Sequence, residues 1–209
     1  DKIPITCENY TIDEKLENSG VYSLKGDMQA KVFEIRDDNG VLQKVIIVYR
    51  GKEMSNPFNA LIDIIIGTIN KTQRRSAYCF YKSVNNHYKE KDIDIYVTGH
   101  SLGGGLAMEV SLQEPVDAYV FNPSYRIDYK DNACNGNIFV IEEKGDIVPK
   151  LFIKRPCIAK VRTVNYQNNW LPPRNNNHSI EKMSYTLLTK VSQRESVASE
   201  ILNKPDQVN

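Results

Sequence analysis

The sequence predicts an α/β protein with a mostly parallel central sheet and helices on both faces. Three observations carry that reading. After residue 41, short apolar runs rich in β-branched residues alternate with longer stretches of helical period, the pattern of strand–helix–strand units. The stretch Tyr96 to Ala107 reads as a buried strand, a sharp turn and a helix built from small residues. The chain of 209 residues is 41% hydrophobic and 25% charged, and no repeat or low-complexity linker divides it. One domain, residues 1–209, accommodates that length and a sizeable core.

The elements follow in order. Residues 1–27 are polar with scattered apolar side chains, and Tyr10 to Leu16 reads as a short helix. Met28 to Arg36 alternates through Ala30, Val32, Phe33 and Ile35 as a strand, and Asp37-Asp38-Asn39-Gly40 is a hairpin turn. Val41 to Tyr49 is the second strand, apolar enough at 45–48 to be central. Arg50-Gly51-Lys52 ends it, and Lys52 to Asn59 is a polar loop. Ala60 to Ile69 and Thr72 to Lys89 read as one or two helices, with Gly67 as the break. In the second of these Ala77, Phe80, Tyr81, Val84 and Tyr88 recur at helical spacing and mark a core-facing stripe.

Asp94 to Thr98 is the next strand, followed by a helix from Leu102 onward. Val116 to Phe121 is another, ended by Asn122-Pro123, and Asn137 to Ile141 is another. Phe152 to Val164 holds a strand or hairpin. Gln167 to Asn177 is a loop rich in Pro and Asn, with His178 at its end. Helices are expected over Ile180 to Lys190 and Val191 to Leu202.

Bulk properties narrow the function. A net charge of +1 gives no argument for nucleic acid. No apolar run reaches the length of a bilayer span; Ala60 to Ile69 is the longest candidate and holds Asp63. The expectation is a soluble protein, peripheral to membranes, secreted or delivered to another compartment. Cys7, Cys79, Cys134 and Cys157 form no C-x-x-C pair, and with three histidines they give no zinc pattern. No metal and no cofactor is expected. The four cysteines allow two disulfides in three connectivities, or free thiols.

Chemistry concentrates at Gly99-His100-Ser101-Leu102-Gly103, a G-x-S-x-G nucleophile elbow. The turn must strain Ser101 to expose its hydroxyl. Gly99 and Gly103, lacking Cβ atoms, let strand and helix approach at the bend. The helix that follows aims its N-terminal N–H groups and positive dipole end at the space above Ser101. A serine hydroxyl needs a base. His100 neighbours Ser101 and is expected to pack beneath the turn, and His87 lies on a polar helical face. His178, after the last strand, is the candidate base. Among downstream acids, Glu109 and Glu114 belong to the elbow helix and Asp117 lies at the wrong end of its strand. Asp128 and Asp131 lie in a polar loop. Glu142 and Glu143 are near the right place, but Asp146, set between Gly145 and Pro149, is the preferred third member. Oxyanion donors are expected from the N–H of Leu102 and the N–H of Lys52.

With these residues in hand the chain resembles the class 3 (fungal-type) lipases, a branch of the α/β-hydrolase fold. Tyr49-Arg50-Gly51 is similar to that family's Phe-Arg-Gly, and Thr98 to Gly104 (TGHSLGG) to its nucleophile motif. Gly145 to Pro149 (GDIVP) is similar to its acid motif, and His178 stands where its late histidine is expected. The resemblance covers roughly residues 28–190 and implies Ser101 as nucleophile, Asp146 as acid, His178 as base, and Leu102 and Lys52 as oxyanion donors. The chain departs from the pattern at Lys52, where the family has Ser or Thr, in a short lid segment, Glu53 to Asn59, and in the short spacing between Asp146 and His178. A compact, divergent member is also similar to bacterial phospholipase effectors, which implies a cognate inhibitor protein as partner.

The function expected is a serine ester hydrolase cleaving acyl esters of lipids, with a lipid or phospholipid at a membrane or micelle surface as substrate. Two other readings stay open: a non-catalytic lipid-binding or protein-interaction module on a decayed hydrolase fold, and an acyltransferase or thioesterase sharing the triad.

Overall fold

A computed structural model describes residues 20–24, 28–50, 71–124, 135–143, 160–164 and 179–193. Among the described residues seven strands form one sheet in sequence order: β1 (Val21–Leu24), β2 (Met28–Arg36), β3 (Leu42–Tyr49), β4 (Asp94–His100), β5 (Asp117–Phe121), β6 (Ile138–Glu143) and β7 (Lys160–Val164). β1 to β3 pair antiparallel, and β3 to β7 run parallel. The predicted hairpin is present. Gly40 takes φ 78°, and the Asp37 carboxylate accepts from the N–H groups of Asn39 at 3.0 Å and Val41 at 2.8 Å. Those bonds satisfy turn donors that no ladder reaches. β1 lies within the polar stretch 1–27, where the sequence predicts no strand; it is an edge strand held by its pairing with β2.

The helices among the described residues are α1 (Lys71–Tyr88), α2 (Leu102–Gln113) and α3 (Ile180–Ser192). Strand parity shows which face α1 and α2 cover. Val45, Ile47, Tyr49, Val97, Ala118, Val120, Ile138 and Val140 are buried and form one core with Ala77, Phe80, Tyr81, Val84 and Tyr88 of α1. All five members of the predicted stripe are therefore core residues. Phe80 is fully buried against the ring of Tyr22 at 4.9 Å, a burial that contributes about 1.5–3 kcal/mol. The Tyr49 hydroxyl donates to the Ala77 carbonyl at 2.9 Å, which anchors the middle of α1 at the carboxyl end of β3. At the other end of the helix the Tyr88 hydroxyl donates to Glu34 at 2.7 Å; Glu34 pairs with Val45 near the amino end of β3. α1 thus runs antiparallel to β3, and its first residue, Lys71, lies toward the carboxyl edge of the sheet.

The opposite face carries an aromatic ladder, Tyr96, Tyr119 and Phe139, with Tyr119 and Phe139 stacked at 4.7 Å. α3 begins near the end of that face, where Glu181 interacts electrostatically with His100. Met183 in the same helix is fully buried. α3 ends at Ser192, so the helix expected from Val191 begins as its last turn, and residues 194–209 lie outside the described residues. So do the expected helices at Tyr10 to Leu16 and Ala60 to Ile69, and the segment 144–159.

Among the described residues no helix is long and apolar enough to cross a membrane. Cys79, buried on α1, is disulfide-bonded, so the free-thiol alternative does not hold for it.

Candidate active site

β4 ends at His100 and α2 starts at Leu102, so a single residue, Ser101, makes the bend between them. Its backbone sits at φ 55°, ψ −121°, a region that L residues rarely adopt. Such strain costs about 1–3 kcal/mol and persists only where surrounding bonds over-determine it. Here they do. The Ser101 N–H donates to the Phe121 carbonyl at 3.1 Å, and the Ser101 carbonyl accepts from Gly105 at 3.0 Å and from Ser124 at 2.9 Å. β5 and the start of the loop beyond it therefore clamp the elbow from one side.

The two elbow glycines have the roles their spacing predicts. A Cβ on Gly99 would meet the Gly104 nitrogen at 2.7 Å, and one on Gly103 would meet the carbonyl carbons of Tyr49 and Arg50 at 2.8 and 2.9 Å. No side chain fits at either place. The second contact also brings the end of β3 against the first turn of α2. The first N–H groups of a helix have no intrahelical acceptor and carry the positive end of its dipole. An anion forming beside Ser101 meets those donors.

Ser101 is buried and Leu102 half-buried at this point. Lys52, Asp146 and His178 lie outside the described residues. Their described neighbours are Arg50, at the carboxyl end of β3, Glu143, at the carboxyl end of β6, and Ser179, at the start of α3. Ser179 donates to Glu181 at 2.5 Å. That bond, with a backbone hydrogen bond and the nearby His100, holds the Glu181 carboxyl below its ordinary value against a smaller effect of burial.

The residues set aside as nucleophile partners have other roles. His87 is half-buried with its ring edge-on to Tyr88 at 4.8 Å, and His100 closes β4. Asp117 opens β5 and accepts from the Asn137 backbone at 3.1 Å and side chain at 2.9 Å, a bond at the amino edge of the sheet. Glu114 caps the end of α2 and accepts from Tyr78 at 2.7 Å and Lys82 at 3.2 Å. Glu109 is buried, which pushes its carboxyl above the ordinary value despite Arg74 at 3.9 Å.

Sequence reasoning missed the clamp on the far side of Ser101. Asn122 takes φ 41°, and the chain turns there so that the Ser124 N–H reaches the Ser101 carbonyl. The signal was the Asn122-Pro123 pair, read only as the end of a strand. Asparagine tolerates this backbone region better than other non-glycine residues.

Among solved structures the chain is similar to the Rhizomucor miehei lipase–propeptide complex, at 20% identity and a TM-score of 0.46, over 69% of this chain and 52% of that one. It is also similar to the extracellular lipase LipA of Serratia marcescens, at 16% and 0.45, over 66% of this chain and 28% of that one. A third is EstE1, a thermostable carboxylesterase cloned from a metagenomic library, at 14% and 0.43, over 79% and 80%. The chain thus spans about half the length of the first of these and about a quarter of the second. The strand order and the elbow of this chain itself give the α/β-hydrolase architecture. No curated protein sequence matches the chain. The family model for the Tle-like phospholipase domain matches residues 9–125, more than half of the chain and the whole stretch from β1 through the elbow to the loop after β5; the chain belongs to that family of phospholipase-like domains.

Proposed function

We propose that the protein is a serine ester hydrolase that cleaves acyl esters of phospholipids and related lipids through an acyl-enzyme. The observation that carries this reading is Ser101, strained at φ 55° between β4 and α2 and clamped there from β5. A structural serine at such a turn would gain nothing from that conformation, whereas a nucleophile gains access to substrate. Membership of the phospholipase-like family supports the lipid substrate.

In the proposed mechanism His178 takes the Ser101 proton as the oxygen attacks the ester carbonyl carbon. Asp146 orients the imidazole and stabilises its charged form. The tetrahedral oxyanion accepts hydrogen bonds from the N–H groups of Leu102 and Lys52, beside the dipole of α2. Collapse expels the lipid alkoxide, which takes the proton from His178. Water, deprotonated by His178, attacks the acyl carbon and releases the fatty acid, returning the proton to Ser101. The tight approach of α2 to Tyr49 and Arg50 supports Lys52 as the second donor, because Lys52 follows Arg50 by two residues. The nearness of Glu181 to His100 supports His178, which precedes Glu181 by three residues while His100 adjoins Ser101. As a phospholipase effector the protein acts in a target compartment, and a cognate inhibitor protein guards the producing cell.

The test is hydrolysis of a short-chain ester, a triacylglycerol emulsion and phosphatidylglycerol vesicles by the wild type, Ser101→Ala and His178→Ala. Turnover on at least one substrate with a loss of a thousand-fold or more in either variant is expected. Turnover that survives Ser101→Ala would sink the mechanism.

A further inference from the structure

A cavity of about 250 Å³ opens on the outer side of the groove between α1 and α2, lined by Lys71, Arg74, Arg75, Tyr78 and Gln113. Its cationic wall comes from helical spacing: residues 71, 74, 75 and 78 fall on one side of α1. Two carboxylates, the buried Glu109 and the half-buried Glu114, fix that wall from below. Glu109 lies 3.9 Å from Arg74 and accepts from the Gln113 amide at 3.2 Å, and Glu114 holds the Tyr78 hydroxyl and Lys82. Glu114 is thereby occupied, and one oxygen of Glu109 is taken by Gln113. Lys71 and Arg75 stand exposed on the rim, and no described carboxylate pairs with either. Three cations line the cavity and, among the described residues, no carboxylate does; Glu109 lies beside Arg74, and burial pushes its carboxyl above the ordinary value. Lys71, at the head of α1, adds the positive end of the helix dipole.

We propose that this cavity is a binding site for the phosphate of an anionic phospholipid headgroup, separate from the lipid being cleaved. Lys71 and Arg75 contact the phosphate oxygens, Arg74 supplies charge from the wall, and Tyr78 and Gln113 form the sides. A phosphate fits the donor set, since guanidinium and ammonium groups recognise it without a counter-carboxylate. The lipid as its source rests on the phospholipase reading; the phosphate chemistry does not. Lys71 lies toward the sheet edge that carries Ser101, so a headgroup held here would present that edge to the bilayer.

The experiment is vesicle co-sedimentation in a Ser101→Ala background, which removes hydrolysis from the readout. Vesicles of phosphatidylcholine with one quarter phosphatidylglycerol are compared with phosphatidylcholine alone. Lys71→Ala/Arg75→Ala is expected to weaken binding to the anionic vesicles roughly 25-fold, about fivefold per charge. The double variant Lys89→Ala/Lys91→Ala removes two exposed cations at the far end of α1 and should change binding by less than about threefold. Far-UV circular dichroism checks that the exposed substitutions leave the fold intact. Equal losses in the two double variants would mean diffuse charge attraction and would overturn the site. Wild-type binding by Lys71→Ala/Arg75→Ala would overturn it as well. Calorimetric titration with inorganic phosphate separates the sources: tight binding that Lys71→Ala/Arg75→Ala abolishes would reassign the cavity to a soluble phosphate and overturn the lipid assignment. Failure of the wild type to hydrolyse any ester would leave these binding results standing.

Discussion

Gly103→Ala sets two physical effects against each other, and the structure decides between them. Gly103 is the second residue of α2, where helix propensity alone would favour alanine by up to about 1 kcal/mol. The added methyl, however, would lie 2.8 and 2.9 Å from the carbonyl carbons of Tyr49 and Arg50, where ordinary contact begins at 3.4 Å. Both neighbours are backbone, so no side chain can swing aside. The end of β3 and the first turn of α2 must separate by more than half an ångström. Overpacking of this kind costs about 1–3 kcal/mol. Separation also moves the two proposed oxyanion donors apart, and a displacement approaching 1 Å lowers turnover about a hundred-fold. Urea denaturation should therefore show Gly103→Ala less stable than wild type by about 1 kcal/mol or more, and ester hydrolysis should show kcat/KM down about a hundred-fold. Gly104→Ala, whose nearest contacts are at 3.0 Å and include the side chain of Pro123, should lose less of both. A Gly103→Ala variant as stable and as active as wild type would refute the claim that the elbow is packed to its limit.

Three further outcomes follow from the same geometry. Ser101→Gly should raise stability by about 1 kcal/mol in urea while abolishing hydrolysis, because glycine relieves the strain at φ 55°; a drop in stability would argue against stored strain. Tyr88→Phe keeps the ring and removes a hydrogen bond that, with the Arg36 guanidinium, holds the Glu34 carboxyl below its ordinary 4.5. The folded value is the lower one, so this bond's stabilisation is present above 4.5 and is lost as pH falls through the folded value. The variant's deficit of about 0.5–1.5 kcal/mol at pH 7 should shrink with acidification, and carboxyl NMR should report a raised Glu34 value. Cys79→Ala should cost roughly 2–4 kcal/mol, the usual contribution of a disulfide; thermal unfolding unchanged from wild type would contradict a structural role for that bond.

What could be read from the sequence was what is local. The elbow was legible because strand, strained serine and close glycines occupy consecutive positions. The stripe on α1 was legible because burial repeats with the helical period. β1 was not, since four residues show no period and Val21–Leu24 is a strand only because Met28–Lys31 pairs with it. The state of Cys79 depends on a tertiary partner that spacing cannot name. Lys71, Arg74 and Arg75 read as an ordinary solvated helix face. They become the wall of a cavity only when Glu109, Glu114 and Gln113, from a helix distant in sequence, are laid against them. The proposed partners of Ser101, Asp146 and His178, rest on elimination among histidines and acids and on order along the chain, and both lie outside the described residues.

Labelling with a fluorophosphonate tests the central claim, an activated nucleophile at Ser101, most directly, because the reagent needs a working nucleophile but no particular lipid. The adduct is located by peptide mass spectrometry in the native wild type, in His178→Ala and in urea-unfolded protein. The account expects one phosphonyl group on Ser101 of the native protein and none on either of the others. A native protein that leaves Ser101 unlabelled, or labelling that is equal in the unfolded chain, would contradict it.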